Sequence, residues 1–262
     1  LQLDSTKPEV LEAGLRTYDI YSPFPEEFNR QAVSIISNYN FAPTPKAKEN
    51  LISEGKDENK IWITGNTVID ALKTTVKENY THPELEWAKD SRLIFITAHR
   101  RENLGQPMHN MFRAIRRVMD EHPDVKALYP IHMNPIVRRA AEEELGGCDR
   151  IHIIDPVEVF DCHNIMAKSY LILTDSGGIQ EEAPSLGKPV LVMRDTTERP
   201  EGIAAGTLKL VATDEEVIYN NFKELLENEE MYKKMSHANN PYGDGKACER
   251  IADILEVGHV TF

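Results

Sequence analysis

The amino-acid sequence predicts an α/β protein whose parallel strands are covered by helices. The first observation is that short apolar runs alternate with longer amphipathic segments from residue 66 onward, which is typical of this fold class. The second is the order of elements within 171–207, where an apolar run, a glycine turn, a helix-forming segment and another apolar run follow one another. This order is a βαβ unit, and its strands are expected to run parallel because a crossover helix joins them.

The first part of the chain predicts fewer elements. Residues 1–10 carry no motif, and residues 11–30 mix prolines and a glycine with charged residues without a clean period, which indicates a functional loop. We then expect two helices and two short strands, at 31–39 (helix), 41–44 (strand), 45–54 (helix) and 61–64 (strand). Residues 1–65 are too short and too poor in strands for a complete domain, so we interpret them as the end of one.

The second part predicts a doubly wound α/β domain over residues 66–245, preceded by a hinge at Gly65 and Asn66. The predicted strands lie at 92–97, 125–130, 151–154, 169–173, 189–193 and 208–212. The predicted helices lie at 67–79, 107–122, 135–146, 157–168, 179–186 and 214–227. A last helix is expected at 246–256, after a turn-rich segment.

The composition argues against several functional classes. The chain has 262 residues and a formal net charge of −13, whereas nucleic-acid surfaces need basic patches, so we expect no nucleic-acid partner. No apolar run approaches the roughly 18 residues of a membrane span, and no signal peptide is visible, so we expect no membrane association. The three cysteines are widely spaced and predict neither a metal site nor a disulfide framework, which fits the cytoplasm.

The turn at Ser176, Gly177 and Gly178 is a candidate phosphate site, because it joins a predicted strand to a predicted helix. The first N–H groups of a helix have no intrahelical partner, and the helix dipole adds positive charge there. Glycines let a phosphate approach that backbone closely. Glu182 follows about one helical turn later and could accept hydrogen bonds from ribose hydroxyls. The alternative is a tight connection that binds nothing.

Two histidines follow predicted strands at the edge where parallel sheets bind ligands. His99 could move protons near neutral pH or hold a phosphate as a cation. His132 follows the next strand, and its alternative role is to enter a helix that Asn134 caps. Local positive charge for an anionic substrate is expected from four arginines in or beside these loops, Arg100, Arg101, Arg194 and Arg199.

The segment 171–207, with its SGG turn and its TTERPE loop, closely resembles the nucleotide-binding segment of bacterial UDP-N-acetylglucosamine 2-epimerases, and the resemblance extends over residues 11–250. It implies two Rossmann-like domains of the glycosyltransferase-B type with the active site between them. Residues 1–65 would then be the remnant of the first domain, and residues 246–262 a helix that crosses back to it. The family's Gly-Thr-Arg-Pro-Glu and His-Gly-Asp-Thr motifs are absent, and the second carries a catalytic aspartate in the family.

The resemblance also implies roles for individual residues. The flanking sequences AGLRT and SPFPEE match the family's pattern and place two carboxylates, Glu12 and Glu26, in the active site. Loop carboxylates are usually solvated, and Arg16 is expected to pair with one of these two. The remaining implied roles are His99 in the active site, Ser176, Gly177, Gly178 and Arg199 at the diphosphate, Glu182 at the ribose, His132 at the nucleotide or effector, and Arg100 and Arg101 at a second, activating UDP-N-acetylglucosamine.

The implied function is interconversion of UDP-N-acetylglucosamine and UDP-N-acetylmannosamine for cell-surface polysaccharide synthesis, with the protein a homodimer in the cytoplasm. UDP leaves carbon 1 as carbon 2 loses its proton, and UDP then adds back to carbon 1 while carbon 2 is protonated with inverted configuration. Neither a cofactor nor a metal is required for these steps. The dinucleotide fingerprint, zinc spacings and P-loop are all absent from the sequence. Two alternatives stay open: a hydrolysing epimerase that releases N-acetylmannosamine and UDP, and a UDP-sugar-binding module without catalysis.

Overall fold

The computed structural model describes residues 9–260, which divide into two units. Unit 1 contains residues 9–74 and 241–260, and unit 2 contains residues 75–240. Each unit is built on its own parallel sheet, one of three strands and one of six. The boundaries at 74/75 and 240/241 differ from the predicted 65/66 and 245/246, so Gly65 and Asn66, the predicted hinge, lie inside unit 1.

The sheet of unit 1 consists of β1 (Glu9–Leu11), β2 (Tyr39–Ala42) and β3 (Ile61–Ile63), in that order. The helices that follow in the chain are α1 (Glu26–Ile36), α2 (Pro45–Ser53) and α3 (Thr67–Thr75). The core cluster of unit 1 contains mostly small side chains, those of Ala13, Ala42, Ala47, Leu51 and Ile61. Further buried apolar side chains of unit 1 are those of Leu15, Phe41, Ile69, Leu72 and Tyr242.

The loop expected at residues 11–30 is only part of what the structure shows there. Its start belongs to β1, which three residues were too few to reveal by periodicity, and helix α1 begins at Glu26 rather than at residue 31. Pro25 precedes the helix, and Glu26 and Glu27 occupy its first turn, where the helix dipole favours carboxylates.

The C-terminal helix, Ala247–Val260, belongs to unit 1 and is capped by a residue of α3. The carboxylate of Asp70 accepts hydrogen bonds from the backbone N–H groups of Ala247 and Cys248, each at 3.0 Å. Asn66 adds a second link, because its N–H donates to the carbonyl oxygen of Tyr242 at 2.8 Å. The role of this helix in a larger first domain stays a prediction.

The sheet of unit 2 has six parallel strands, whose residue ranges are β4 (Arg92–Thr97), β5 (Val125–Pro130), β6 (Ile151–Ile154), β7 (Leu171–Thr174), β8 (Val190–Val192) and β9 (Leu208–Leu210). Their order is β6-β5-β4-β7-β8-β9. The helices of this unit are α4 (Pro83–Trp87), α5 (Gln106–Glu121), α6 (Pro135–Leu145), α7 (Val159–Lys168), α8 (Ile179–Ser185), α9 (Pro200–Ala205), α10 (Glu215–Glu227) and α11 (Glu229–Ser236).

Both faces of this sheet are buried. Ile94 and Ile96 of β4 belong to one large core cluster, which also contains buried residues of α5, α6 and α10. Leu93 and Phe95, which alternate with them, belong to a second cluster on the other face, together with residues of α7 and α8. This arrangement confirms the predicted α/β class with parallel sheets and helices on both faces.

Helices α3, α4, α9 and α11 depart from the sequence prediction. Three short ones, α4, α9 and α11, were not predicted, because fewer than three helical turns leave little periodicity to detect. Helix α3 was expected to reach residue 79 but ends at Thr75. The side chain of Asn164 replaces its next hydrogen bonds, donating to the Thr75 carbonyl oxygen at 2.8 Å and accepting from the Lys77 N–H at 2.7 Å. Among the described residues, no helix has the length and apolarity to cross a membrane.

Candidate functional site

Three loops leave the same edge of the six-stranded sheet at its centre. The ends of β4, β7 and β8 are in register, since Thr97 pairs with Thr174 and Thr174 pairs with Val192. The loops that follow these strands carry most of the predicted site residues. In parallel sheets the carboxyl ends of the strands form the ligand crevice, so this edge of unit 2 is the candidate nucleotide site.

Asp175, at the end of β7, organises two of these loops. Its side chain is fully buried. Oδ2 accepts hydrogen bonds from the backbone N–H groups of His99 and Arg100, both at 2.8 Å, and from Asn103 Nδ2 at 3.1 Å. Asn103 also donates to the carbonyl oxygen of Met193 at 3.2 Å. One carboxylate oxygen thus holds the loop after β4, and Asn103 ties that loop to the end of β8.

His99 lies above this carboxylate, with its Nδ1 3.6 Å from Asp175 Oδ1 and 39% of its side chain exposed. Burial lowers the pKa of His99, the Asp175 carboxylate raises it, and the cationic Arg100 and the His132 ring lower it further. The rings of His99 and His132 are stacked, with centroids 5.6 Å apart and planes inclined by 13°. The structure therefore brings together the two histidines that the sequence singled out from separate strands.

The glycine turn is held from both sides. The N–H of Ser176 donates to Thr174 Oγ1 at 2.9 Å, and the Ser176 carbonyl oxygen accepts from Gln180 Nε2 at 3.1 Å. Gln180 in turn accepts a hydrogen bond from Thr197 Oγ1 at 2.6 Å, which connects the turn to the loop after β8. The backbone of the predicted phosphate site is thus held in place by side chains that the sequence prediction did not single out.

Gly177 lies directly over a buried ion-pair network. Arg199 Nε donates to Glu181 Oε1 at 2.5 Å, and Arg199 Nη1 pairs with Glu198. A Cβ atom at Gly177 would lie 2.7 Å from Arg199 Nη1 and 2.9 Å from Glu198 Oε1, so only glycine fits without movement. Arg199 supports the turn from below, and its direct contact with a diphosphate stays a prediction.

The expected supply of positive charge is only partly correct. Arg194 and Arg199 have 2% and 3% of their surface exposed, and both are paired with Glu198. They are therefore structural cations rather than a positive surface. Arg100 is half-buried and donates through Nε to the Asp175 carbonyl oxygen at 3.3 Å, while Arg101 is exposed.

Glu182 lies beside the glycine turn, as its predicted contact with a ribose requires. Its Oε1 would be 3.3 Å from a Cβ atom at Gly178, and its Oε2 is 3.7 Å from Nε2 of the buried His163. Nδ1 of His163 is 2.8 Å from Thr75 Oγ1. Burial lowers the pKa of His163. The nucleotide role of Glu182 remains a prediction, and His163 is a neighbour that the sequence did not indicate.

The two predicted carboxylates lie on unit 1 and are described on that unit alone. Glu12 follows β1 with a φ of 55° and accepts a hydrogen bond from Asn66 Nδ2 at 3.1 Å. Glu26 is the first residue of α1 and is half-buried. A positive φ is strained for a residue other than glycine, so the chain after β1 holds Glu12 in an uncommon conformation.

Two details of this region correct the sequence prediction. Arg16 does not pair with Glu12 or Glu26 but forms a two-pronged ion pair with Glu54, at 2.8 and 3.0 Å. The fully buried carboxylate of the loop is Glu27, which accepts hydrogen bonds from the N–H groups of Thr17 and Tyr18 and from Gln31. Glu27 therefore shapes the loop, whereas the neighbouring Glu26 is more accessible.

Comparison with known proteins agrees with this geometry. The family model described as UDP-N-acetylglucosamine 2-epimerase matches residues 11–256. This chain belongs to that family. The enzyme of the same name from Bacillus subtilis (strain 168) is 60% identical over 245 residues, which are 94% of this chain and 64% of the relative. The chain thus spans slightly less than two thirds of the length of this relative.

Solved structures of the family superimpose closely. The S. aureus MnaA structure with UDP has a TM-score of 0.95 at 52% identity, covering 98% of this chain and 70% of that one. The Neisseria meningitidis UDP-GlcNAc 2-epimerase bound to UDP-GlcNAc has a TM-score of 0.90 at 44% identity, covering 96% of this chain and 70% of that one. These relatives have the glycosyltransferase-B fold, which confirms the predicted fold type.

The residues that sequence reasoning missed are those that hold the site rather than face its ligand. Asp175 carried a detectable signal, because it directly follows a strand of entirely buried residues at the ligand edge. Asn103, Gln180 and His163 carried none, since their partners are distant in the chain. Among the described residues, no group of three or more histidine, cysteine, aspartate or glutamate side chains is arranged to hold a metal ion.

Proposed function

We propose that this chain binds UDP-N-acetylglucosamine and provides the nucleotide site of an epimerase that interconverts it with UDP-N-acetylmannosamine. The observation that carries the proposal is the edge of the six-stranded sheet, where the glycine turn and the stacked histidines emerge side by side from neighbouring strands. Family membership supports it, as do the UDP and UDP-GlcNAc present in the structures of two relatives.

The nucleotide contacts follow from the chemistry of this edge. The N–H groups of Gly177 and Gly178 donate to the diphosphate, because they lie at the start of α8. Ser176 contacts it through its hydroxyl group, since its N–H donates to Thr174 Oγ1. Glu182 accepts hydrogen bonds from the ribose hydroxyls. Arg199 stabilises the turn through its ion pairs with Glu181 and Glu198, and its contact with the diphosphate belongs to the same proposal.

The reaction separates into elimination and addition. A base removes the proton on carbon 2 while the bond from carbon 1 to the UDP oxygen breaks, and a glycal with a carbon–carbon double bond forms. UDP then adds back to carbon 1 as carbon 2 receives a proton on the opposite face. Glu12 and Glu26 are proposed as the acid–base groups, since a carboxylate can remove a proton from the substrate and return one to it. His99 acts on the leaving diphosphate.

Arg100, Arg101 and His132 are proposed to contact a second UDP-N-acetylglucosamine, which activates the enzyme. Arg101 is exposed on the loop after β4, and His132 is exposed on the loop after β5. The two loops are neighbours, as the stacking of His132 on His99 demonstrates. A homodimer and a cytoplasmic location belong to the same proposal. The cytoplasmic location is supported by the three free cysteines, because thiols stay reduced in that compartment.

The two alternatives predict different products. A hydrolysing enzyme releases free N-acetylmannosamine, whereas the proposed isomerase yields only the UDP-linked sugar. A binding module yields neither. Chromatography of the products after incubation with UDP-N-acetylglucosamine separates all three.

The nucleotide site itself is tested by calorimetry of UDP binding to the 262-residue chain and to its Glu182→Ala variant. We expect the variant to bind about tenfold more weakly, as the loss of hydrogen bonds to a charged group costs about 1.5–3 kcal/mol. An unchanged affinity would remove Glu182 from the site. The exposed Glu230, on α11, provides the control substitution Glu230→Ala, which should leave UDP binding unchanged.

A further inference from the structure

The carboxylate of Asp175 determines which ring nitrogen of His99 carries a proton. Its Oδ2 already accepts three hydrogen bonds, from two backbone N–H groups and Asn103. Its Oδ1 is buried without a hydrogen-bond partner among the described residues, and the Nδ1 of His99 lies 3.6 Å from it. A carboxylate can only accept, so this contact favours a hydrogen on Nδ1, which leaves Nε2 of the neutral ring with only a lone pair.

The stacked partner ring has the opposite arrangement. Nδ1 of His132 accepts a hydrogen bond from the backbone N–H of Asn134 at 3.1 Å. That nitrogen is therefore unprotonated, and the hydrogen of the neutral ring lies on Nε2. Of two parallel imidazoles at the same edge, His132 can donate to a ligand through Nε2, whereas His99 can only accept.

This difference matters for a diphosphate, whose oxygens are acceptors. The neutral His99 ring has nothing to donate from Nε2, so it can bind a phosphate oxygen only after it gains a proton there. The groups that face His99 act in both directions: Asp175 and Glu102 favour the protonated ring, and Arg100 and His132 disfavour it. A bound diphosphate adds negative charge and shifts the balance toward protonation.

We propose that Asp175 is a positioning residue that fixes the Nδ1–H tautomer of His99, so that UDP binding is coupled to uptake of a proton at His99 Nε2. The proton comes from the solvent and returns to it when UDP leaves, and no bond of UDP changes. The proposal rests on the proposed function for the location of the diphosphate. The tautomer does not depend on that location and can be tested in the free protein.

The first test is nitrogen-15 NMR of the histidine rings in the full 262-residue chain without ligand. We expect the Nδ1–H tautomer for His99 and the Nε2–H tautomer for His132. In Asp175→Asn the amide oxygen can keep the backbone hydrogen bonds, while the amide NH₂ group faces Nδ1 as a donor and moves the ring hydrogen to Nε2. A ligand-free wild-type chain with His99 in the Nε2–H tautomer would overturn the proposal.

The second test is calorimetry of UDP binding in buffers of different ionisation enthalpy at about pH 7, where the terminal phosphate, with a second pKa of about 6, is mostly ionised. We expect the wild type to take up between about half a proton and one proton per UDP. His99→Gln should take up almost none, and Asp175→Asn should also take up almost none because its His99 already donates through Nε2. His237→Gln, which changes an exposed histidine on which the proposed site does not draw, should retain the uptake.

The outcomes distinguish this inference from the proposed function. UDP binding by the wild type without proton uptake overturns the coupling, although the nucleotide site stands. No UDP binding at all overturns the proposed function, and the tautomer of His99 then decides the role of Asp175 alone. If Asp175→Asn does not fold, the wild-type tautomer and the comparison of wild type with His99→Gln still decide the proposal.

Discussion

The two units of this chain are built from the same kind of parallel α/β unit but differ in how completely they bury their apolar side chains. In unit 2, two core clusters cover both faces of a six-stranded sheet. In unit 1, the core cluster contains three alanines, a leucine and an isoleucine, whereas large side chains of α1 and the preceding loop are exposed, with Ile35 at 76% and Tyr21 at 75%. Among the described residues, unit 2 therefore has the larger enclosed core of the two units.

The candidate site residues differ in the same way between the units. In unit 2 they are held by buried polar groups, with Asp175, Gln180 and Glu181 all fully buried beneath the crevice. In unit 1, Glu12 has one described side-chain hydrogen bond, to Asn66, and a positive φ. Buried polar groups therefore hold the candidate residues of unit 2 in place, while the acid–base candidates depend on the smaller unit 1.

The largest expected effect is on turnover. Proton exchange at carbon 2 in deuterated water should be about 10⁴-fold slower for this chain than for the B. subtilis relative, while UDP affinities agree within about tenfold. A catalytic group misplaced by about 1 Å costs about 100-fold, and a missing acid or base costs about 100-fold or more. Equal exchange rates would show that unit 1 positions Glu12 and Glu26 adequately by itself and that the family's aspartate is dispensable.

The next effect compares stability between the units. Leu191 in unit 2 and Leu51 in unit 1 are both fully buried. Leu191→Ala should cost about 4–5 kcal/mol because its dense surroundings cannot close the cavity, whereas Leu51→Ala should cost about 2–3 kcal/mol. The chain has two tryptophans, Trp62 in unit 1 and Trp87 in unit 2. When one tryptophan is replaced by phenylalanine, the fluorescence of the remaining one follows the unfolding of its own unit in urea.

In that experiment, Leu51→Ala should shift only the transition reported by Trp62. One transition shared by both probes, shifted equally by either substitution, would show that the units unfold together and would remove the contrast drawn between them.

A smaller effect concerns the glycine turn of unit 2. Gly177→Ala should weaken UDP binding by about tenfold, because the new methyl group meets Arg199 Nη1 at 2.7 Å and Glu198 Oε1 at 2.9 Å, and such crowding costs about 1–3 kcal/mol. Gly178→Ala meets only Glu182 Oε1, at 3.3 Å, and should weaken binding less, by about threefold or under. Isothermal calorimetry checks both, and the reverse order would mean that the ion-pair network does not fix the turn.

The agreement between the predicted and the observed elements also differs between unit 1 and unit 2. The bounds of β4, β5 and β6 agree with the prediction to the residue. In β4 and β5 four of the six residues are buried, and β6 consists of three isoleucines and a histidine, so each leaves a clear apolar run. In unit 1, the three-residue β1 and the start of α1 escaped notice, since an exposed or half-buried element has no clear hydrophobic pattern. Local sequence cannot reveal what distant parts of the chain bury.

The same holds for the site. The position of Ser176, Gly177 and His99 at the carboxyl ends of neighbouring strands could be predicted, because the turn and the strand end that present them are local features. The neutralised state of Arg194 and Arg199 could not be predicted, since it depends on their burial and, for Arg199, on the ion pair with Glu181, both of which arise only in the fold. The charge of an arginine is visible in a sequence, but whether it is already neutralised is not.

The smallest expected effect is the pH dependence of stability, and it too should separate the units. Burial lowers the pKa of His163, and burial is also the largest cause lowering that of His99. An unfolded histidine has a pKa of about 6.5, so below that pH the unfolded chain binds more protons than the folded one. The contribution of these two neutral histidines to the free energy of unfolding is therefore complete above about pH 6.5. It declines as the pH falls toward the pKa values that the histidines have in the folded chain.

Both histidines lie in unit 2, whereas the described part of unit 1 contains a single histidine, His259, in its C-terminal helix. Between about pH 6.5 and 5, the unfolding midpoint reported by Trp87 should therefore fall more than the midpoint reported by Trp62. His163→Gln should reduce this fall, and His99→Gln should reduce it less, because the ring of His163 is almost entirely buried and that of His99 is 39% exposed. If the unfolding midpoints reported by the two tryptophans changed equally with pH, this prediction would be wrong. The buried histidines of unit 2 would then not have lowered pKa values in the folded state.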